Sequence, residues 1–150
     1  MIDEISFKIL KILQKKARIP NVEVARQVGM APSAVLERIR KLEKQGIIEG
    51  YEVRLNPRHF NRSLVAFVSV ALGQPSAAAR VGRKLAEIPL VQEVHFVAGE
   101  DGFFLKIRAA DTEELEYVLR EQISGIKAVT ATRTWVVLST HKETARIPIE

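Results

Sequence analysis

The chain has 150 residues, 47% hydrophobic and 27% charged, a balance that suits a folded globular protein and excludes a disordered one. It contains no cysteine, which rules out disulfides, thiolate nucleophiles and cysteine zinc sites. No apolar run approaches a membrane span, and the acidic pair Asp3-Glu4 stands where a secretory leader would carry cations, so a cytoplasmic protein without a membrane partner is expected. The formal charge of +5 is uneven: residues 1–60 hold 12 Lys or Arg against 7 Asp or Glu, whereas residues 61–150 hold 11 of each. The first two fifths therefore seek polyanions, and the remainder is electrically neutral.

Asp3 is placed to cap a first helix whose apolar positions Ile5, Ile9, Ile12 and Leu13 recur at helical spacing. Pro20 and Asn21 break the pattern, with Asn21 the expected cap of a second helix through Val24, Ala25 and Val28. Gly29 falls where the chain must turn sharply, and Pro32 at the first turn of a third helix, where its missing N–H costs nothing. That helix runs to Gly46, with Val35, Ile39 and Leu42 as its apolar ridge. The run IIEGYEVRL (47–55) mixes β-branched and aromatic residues and reads as a strand, one arm of a wing. Asn56-Pro57 signals a turn, and NPRHFNRS (56–63) reads as a hinge.

Beyond the hinge the period changes. LVAFVSVAL (64–72) reads as a strand, and Ser76 opens a helix through Val81, Leu85 and Ile88 that Pro89 stops. VQEVHFVAG (91–99) alternates as a strand, with Val91, Glu93, His95 and Val97 on one side and Val94 and Phe96 on the other. Residues 100–102 form a tight connection to a hairpin partner, FFLKIRA (103–109). Asp111 with Glu114 makes a capping-box-like start to a helix burying Leu115, Val118, Leu119 and Ile123. AVTATRTWVVL (128–138) is the last strand, and residues 141–150 form an extended tail. The fold class is α+β: an N-terminal winged helix-turn-helix over 1–55, the hinge, and a ferredoxin-like βαββαβ domain over 64–140. One face of that sheet lacks a helix cover, and a second subunit is the economical cover for it.

The run VLERIRKLEKQGIIEGY (35–51), the opening IDEISFKILKILQKKARIPNVEVARQVG and the closing RTWVVLSTHKET, joined to this element order, resemble the leucine-responsive regulatory protein/AsnC (feast/famine) family of transcription regulators. The resemblance covers essentially the whole chain. It implies a homodimer built through the C-terminal sheets, further association into octamers, and amino-acid effectors bound between dimers near the loop joining the middle two strands. In the family that loop is typically Gly-acid-any-Asp. Here it is Gly99-Glu100-Asp101-Gly102, with the first acid kept, glycine at the second acid position and an acid displaced to Asp101. Two smaller departures are Ala31, where a hydroxyl residue commonly caps the third helix, and Ser6, where Asp is usual.

With Val35, Ile39 and Leu42 buried, the third helix is expected to offer Ser33, Ala34, Glu37, Arg38 and Lys41 to DNA. Arg38 suits a bidentate contact to guanine, Glu37 an acceptor for cytosine and Ala34 a thymine methyl. Arg40, Lys41 and Lys44 suit phosphates, with Arg54 on the wing and Arg18 and Arg26 bracing the backbone. The amides of the Gly99–Gly102 loop would hold an effector carboxylate and Glu100 or Asp101 its ammonium, with Thr132 and Thr134 on one strand face reaching a neighbouring dimer's ligand. Double-stranded DNA, a second copy and an amino acid are the expected partners. No cofactor, metal or catalytic group is expected, because His59, His95 and His141 are dispersed and no phosphate-binding or nucleophile motif occurs. An architectural, chromatin-like DNA-binding protein is the alternative. An enzyme resembling sirohaem decarboxylases, recruiting His95, is a more remote one.

Overall fold

The computed structural model describes residues 1–99 and 102–150, which form two compact units: Met1–Arg54 with Lys142–Glu150, and Leu55–His141. No helix among the described residues is long and apolar enough to cross a membrane.

The first unit holds α1 (Glu4–Lys15), α2 (Asn21–Val28) and α3 (Pro32–Lys44). Asp3 caps α1, its Oδ1 accepting from the Ser6 N–H at 2.8 Å. Asn21 does not cap α2; Pro20 occupies the cap without a side-chain hydrogen bond, and Asn21 is already helical. Gly29 turns the chain at φ 71°, and the Met30 N–H closes the end of α2 on the Ala25 carbonyl at 3.0 Å. Helix α3 starts without a side-chain cap at Ala31. It ends in a Schellman motif, Ile47 N–H to Leu42 carbonyl and Gly46 N–H to Glu43 carbonyl, both 2.9 Å. Ile9, Leu13, Val24, Ala25, Val35 and Ile39 form the buried core, so each helix contributes one apolar stripe. The expected wing strand is not formed: residues 47–55 contain no strand. Nothing among the described residues pairs with that segment, and a lone strand leaves its ladder groups to water. Tyr51 ties it instead to α3 by donating to Glu43 Oε1 at 2.9 Å. Burial first, and that bond second, push the Tyr51 hydroxyl up to about 12.

The second unit is a four-stranded antiparallel sheet ordered β2-β3-β1-β4, built from β1 (Leu64–Leu72), β2 (Val91–Val97), β3 (Gly102–Ala109) and β4 (Val129–Val136). Helix α4 (Ala78–Ala86) follows β1, and α5 (Thr112–Tyr117) follows β3, continuing as a π-helical stretch over Val118–Ile123. This is the ferredoxin-like order expected. Val68 and Val70 of β1 pair with Leu105 and Phe103, and these four enclose the core with Val81, Leu85, Leu115, Val118 and Ile123. Asp111 accepts from the Glu114 N–H at 2.8 Å, while Glu114 reaches back to the Ala110 N–H at 2.6 Å.

Two details correct the sequence reading of this unit, at α4 and at β2. Helix α4 begins at Ala78 after a 3-10 turn over Pro75–Ala77, so Ser76 is not its cap. The register of β2 slips between Val91 and Glu93, pairing Val91 with Ile107 and Val94 with Leu105. Val91 thereby joins Val94 against the core instead of sharing the side of Glu93 and His95. Residues 56–63, read as a hinge, carry a 3-10 turn over Pro57–Phe60 and belong to this unit, where Arg108 donates to the Arg62 carbonyl at 3.3 Å.

Candidate nucleic-acid interface

Helix α3 divides by its 3.6-residue period. Val35, Ile39 and Leu42 are buried, and the opposite side leaves Ser33, Glu37, Arg40, Lys41 and Lys44 exposed, with Ala34 half-buried at the margin. Lys41 and Lys44 make no salt bridge among the described residues, and Arg40 approaches Glu37 only to 3.9 Å. Three cations thus stand on the outer side of a helix whose inner side is locked in the core. Helix α3 opens on Pro32, which has no N–H to satisfy, and carries no acid in its first turn.

Arg38 departs from its expected role as a free base reader. Its Nη1 donates to Asp3 Oδ2 at 2.6 Å and to Ser6 Oγ at 3.2 Å, and its side chain is 31% exposed. The Asp3 carboxylate therefore does two jobs, capping α1 with one oxygen and holding α3 with the other. Hydrogen bonding from Arg38, with the Ser6 amide second, lowers its pKa from 3.8 to about 2. Arg38 lies on the shoulder of α3 that leans toward α1, so reading a base would require this pair to open. Sequence reasoning missed the pair because residues 3 and 38 share no local pattern. The one available signal was Ser6, a small residue at a position where the family usually has Asp.

Arg26 is likewise occupied, donating to both Glu23 oxygens at 2.6 and 3.1 Å. Those bonds, with Gln27 second, hold Glu23 down at about 2. Arg18 and Arg54 are exposed.

The described effector positions fall on β4 and at the two ends of the loop between β2 and β3. Gly99 has φ 108° after β2, while Glu100 and Asp101 lie outside the described residues. Gly102 is buried as the first residue of β3, pairing with Ala71 and Val97. A Cβ there would run into the Val70 carbonyl, 3.0 Å from its carbon and nearer its oxygen. No residue larger than glycine fits this backbone. Thr132 and Thr134 share a face of β4, half-buried on the helix-covered side opposite Val70 and Val68. Strand β1 lies between them and Gly102. The other sheet face carries Phe67 stacked on Phe104 (centroids 5.8 Å), with Trp135 6.0 Å from Phe104 and half exposed. His95 is exposed there too, and no group of three metal-ligating residues occurs among the described residues.

Residues 2–49 match the winged helix-turn-helix DNA-binding family, and residues 64–147 match the Lrp/AsnC ligand-binding domain. The chain belongs to the Lrp/AsnC family of transcription regulators. The leucine-responsive regulatory protein of Escherichia coli K12 is 37% identical to it, over 99% of this chain and 92% of that protein. The structure of E. coli AsnC superposes with a TM-score of 0.91 at 26% identity, covering 99% of both chains. A transcriptional regulator of Neisseria meningitidis, solved with L-methionine, gives 0.93 at 27% identity over 99% of this chain and 97% of that one. A feast or famine regulatory protein of Mycobacterium tuberculosis, also with L-methionine, gives 0.89 at 29% identity over 98% and 99%. This Lrp/AsnC regulator thus has the DNA-binding helix and the ligand-binding domain in the order its sequence suggested.

Proposed function

We propose that this Lrp/AsnC regulator is a cytoplasmic homodimer, or a ring of such dimers, that reads double-stranded DNA through α3 and responds to an amino acid. The observation that carries the DNA reading is the exposed cationic side of α3, opposite a fully buried ridge. Lys41, Arg40 and Lys44 meet phosphates. Ser33, Ala34 and Glu37 at the N-terminal half lie nearest the base edges. Arg38, tied to Asp3, holds α3 against α1 and sets its angle. Arg54 adds a cation at the end of the unpaired wing segment.

Self-association is supported by the uncovered aromatic sheet face, which a second copy would bury. Two α3 helices related by a twofold would enter major grooves one helical turn apart, or a multiple of that. The effector reading draws on the L-methionine complexes of two structural relatives. In this chain Gly99, Gly102 and the acids Glu100 and Asp101 would meet the amino acid's charged ends, with Thr132 and Thr134 contributed from a neighbouring dimer. An effector acts by binding one assembly more tightly than another. The reading is one of binding, and no catalytic step is assigned to any residue.

A salt titration tests the DNA interface. Each phosphate contact contributes about 0.9 to the slope of log K against log salt, so Lys41→Ala with Lys44→Ala lowers the slope by about 2. An unchanged slope would remove α3 from the interface. Footprinting at moderate salt separates a site-specific regulator, which protects discrete palindromes, from an architectural protein, which coats DNA uniformly. Thermal-shift titration with the twenty amino acids tests the effector, and no shift with any of them would reject it.

A further inference from the structure

The C-terminal tail is held by α1. Gln14 makes both halves of a backbone rung with one residue: its Nε2 donates to the Ile147 carbonyl and its Oε1 accepts from the Ile147 N–H, each at 3.0 Å. One position along, an Arg146 Nη2 donates to the Lys15 carbonyl at 3.4 Å, one of the helix-terminal carbonyls without an intrahelical partner. Thr144 Oγ1 accepts from the Arg146 N–H at 3.1 Å and shapes the approach. Residues Lys142–Glu150 accordingly belong with Met1–Arg54, although β4 and the residues up to His141 belong to the other unit. The chain therefore passes between its two units twice, once after Arg54 and once after His141.

A side-chain amide that satisfies both backbone groups of a single residue fixes the tail's register as a neighbouring strand would. The bonds are few and solvent-exposed, so docking and release lie close in free energy and need no unfolding. We propose that the tail is a strap, with the C-terminal end of α1 as a docking surface for residues 144–147 of the chain's own tail. The strap gives β4, the strand bearing Thr132 and Thr134, a mechanical path to the DNA-binding unit that bypasses residues 55–63. The docking stands on its own geometry. Its influence on DNA rests on the DNA-binding reading above.

The test uses full-length protein, Gln14→Ala, Gln14→Glu and a chain ending at His141. Hydrogen exchange by mass spectrometry reads the docking directly. Tail peptides spanning Ile147 should exchange about three- to tenfold faster in Gln14→Ala than in wild type, the range expected for loss of such bonds. Gln14→Glu, which keeps the acceptor for the Ile147 N–H and loses the donor, should fall between them. Affinity for a random-sequence 40-base-pair duplex at low salt should drop about three- to tenfold in Gln14→Ala and in the shortened chain, because the released unit must be ordered on binding. The melting temperature of Gln14→Ala should stay within about 2 °C of wild type, as for an exposed surface change. Wild-type tail peptides exchanging as free chain would overturn the docking. Altered exchange with unaltered DNA affinity would overturn the coupling. A wild type that binds no duplex would instead defeat the DNA-binding reading, and the exchange result would still decide the docking.

Discussion

Replacing Gly102 with Ala is expected to unseat the start of β3. The added Cβ meets the backbone carbonyl of Val70, not a side chain that can rotate away. Val70 cannot retreat either, since β1 is an interior strand and Val70 is paired to Phe103 on one side and Thr132 on the other. The first residue of β3 must therefore lift, giving up its rungs to Ala71 and Val97. Losing about two rungs at about 1 kcal/mol each, or leaving the residue overpacked at about 1–3 kcal/mol, sets the cost near 1–3 kcal/mol. For a small domain that lowers the melting temperature by about 5–20 °C. The single tryptophan, Trp135, lies on β4, so its fluorescence follows this sheet during melting. Gly50→Ala is the control, because a Cβ there meets nothing within 4 Å and its backbone is not left-handed; it should melt within about 2 °C of wild type. Gly102→Ala melting as wild type would show that the strands have slack, and would refute the reasoning. Gly102→Asp should be at least as damaging, because it places a larger group at the same crowded position.

Other outcomes follow from single contacts. The Asp3 pKa is depressed in the folded chain, so the stability it contributes is present above about pH 4 and is lost as pH falls through about 2. Asp3→Asn should therefore flatten the fall in melting temperature over that window, and an unchanged profile would mean that the pair does not hold in solution. Ala128 sits at φ 83°, a strained position for a residue with a Cβ, so Ala128→Gly should leave stability equal or raise it by about 1 kcal/mol in a denaturant titration. A loss beyond about 1 kcal/mol would contradict the strain. Leu105→Ala, at a fully buried position on β3, should cost about 3–5 kcal/mol by the same titration. Trp135→Glu should shift the mass measured by light scattering toward the monomer while the circular dichroism of the fold is retained. A variant that stays fully associated would locate the interface elsewhere.

The helices and the strand order were legible because each rests on a repeated local pattern. Val35, Ile39 and Leu42 mark one side of α3, and the change from a period of 3.6 to one of 2 beyond Leu64 marks the second domain. What was not legible depends on partners distant in sequence. The bulge of β2 exists because Val91 fits against Ile107 on the core side, a tertiary preference that overrides simple alternation. The segment 47–55 has strand-forming residues and no neighbour to pair with, so propensity alone misassigned it. The cationic side of α3 followed from spacing, but the diversion of Arg38 to Asp3 did not, since composition reveals that an arginine is charged and not where its charge is spent. Gln14 and Ile147 are separated by almost the whole chain, and neither residue type announces a contact.

The shared carboxylate of Asp3 has a consequence for anyone reshaping the specificity of this molecule. A helix grafted from another protein in place of α3 would arrive with its own residue at position 38, without the contacts that Arg38 makes to Asp3 and Ser6. The transplant unit is therefore discontinuous: α3 together with positions 3 and 6. A chimera that moves the helix alone would inherit its side chains at the wrong tilt.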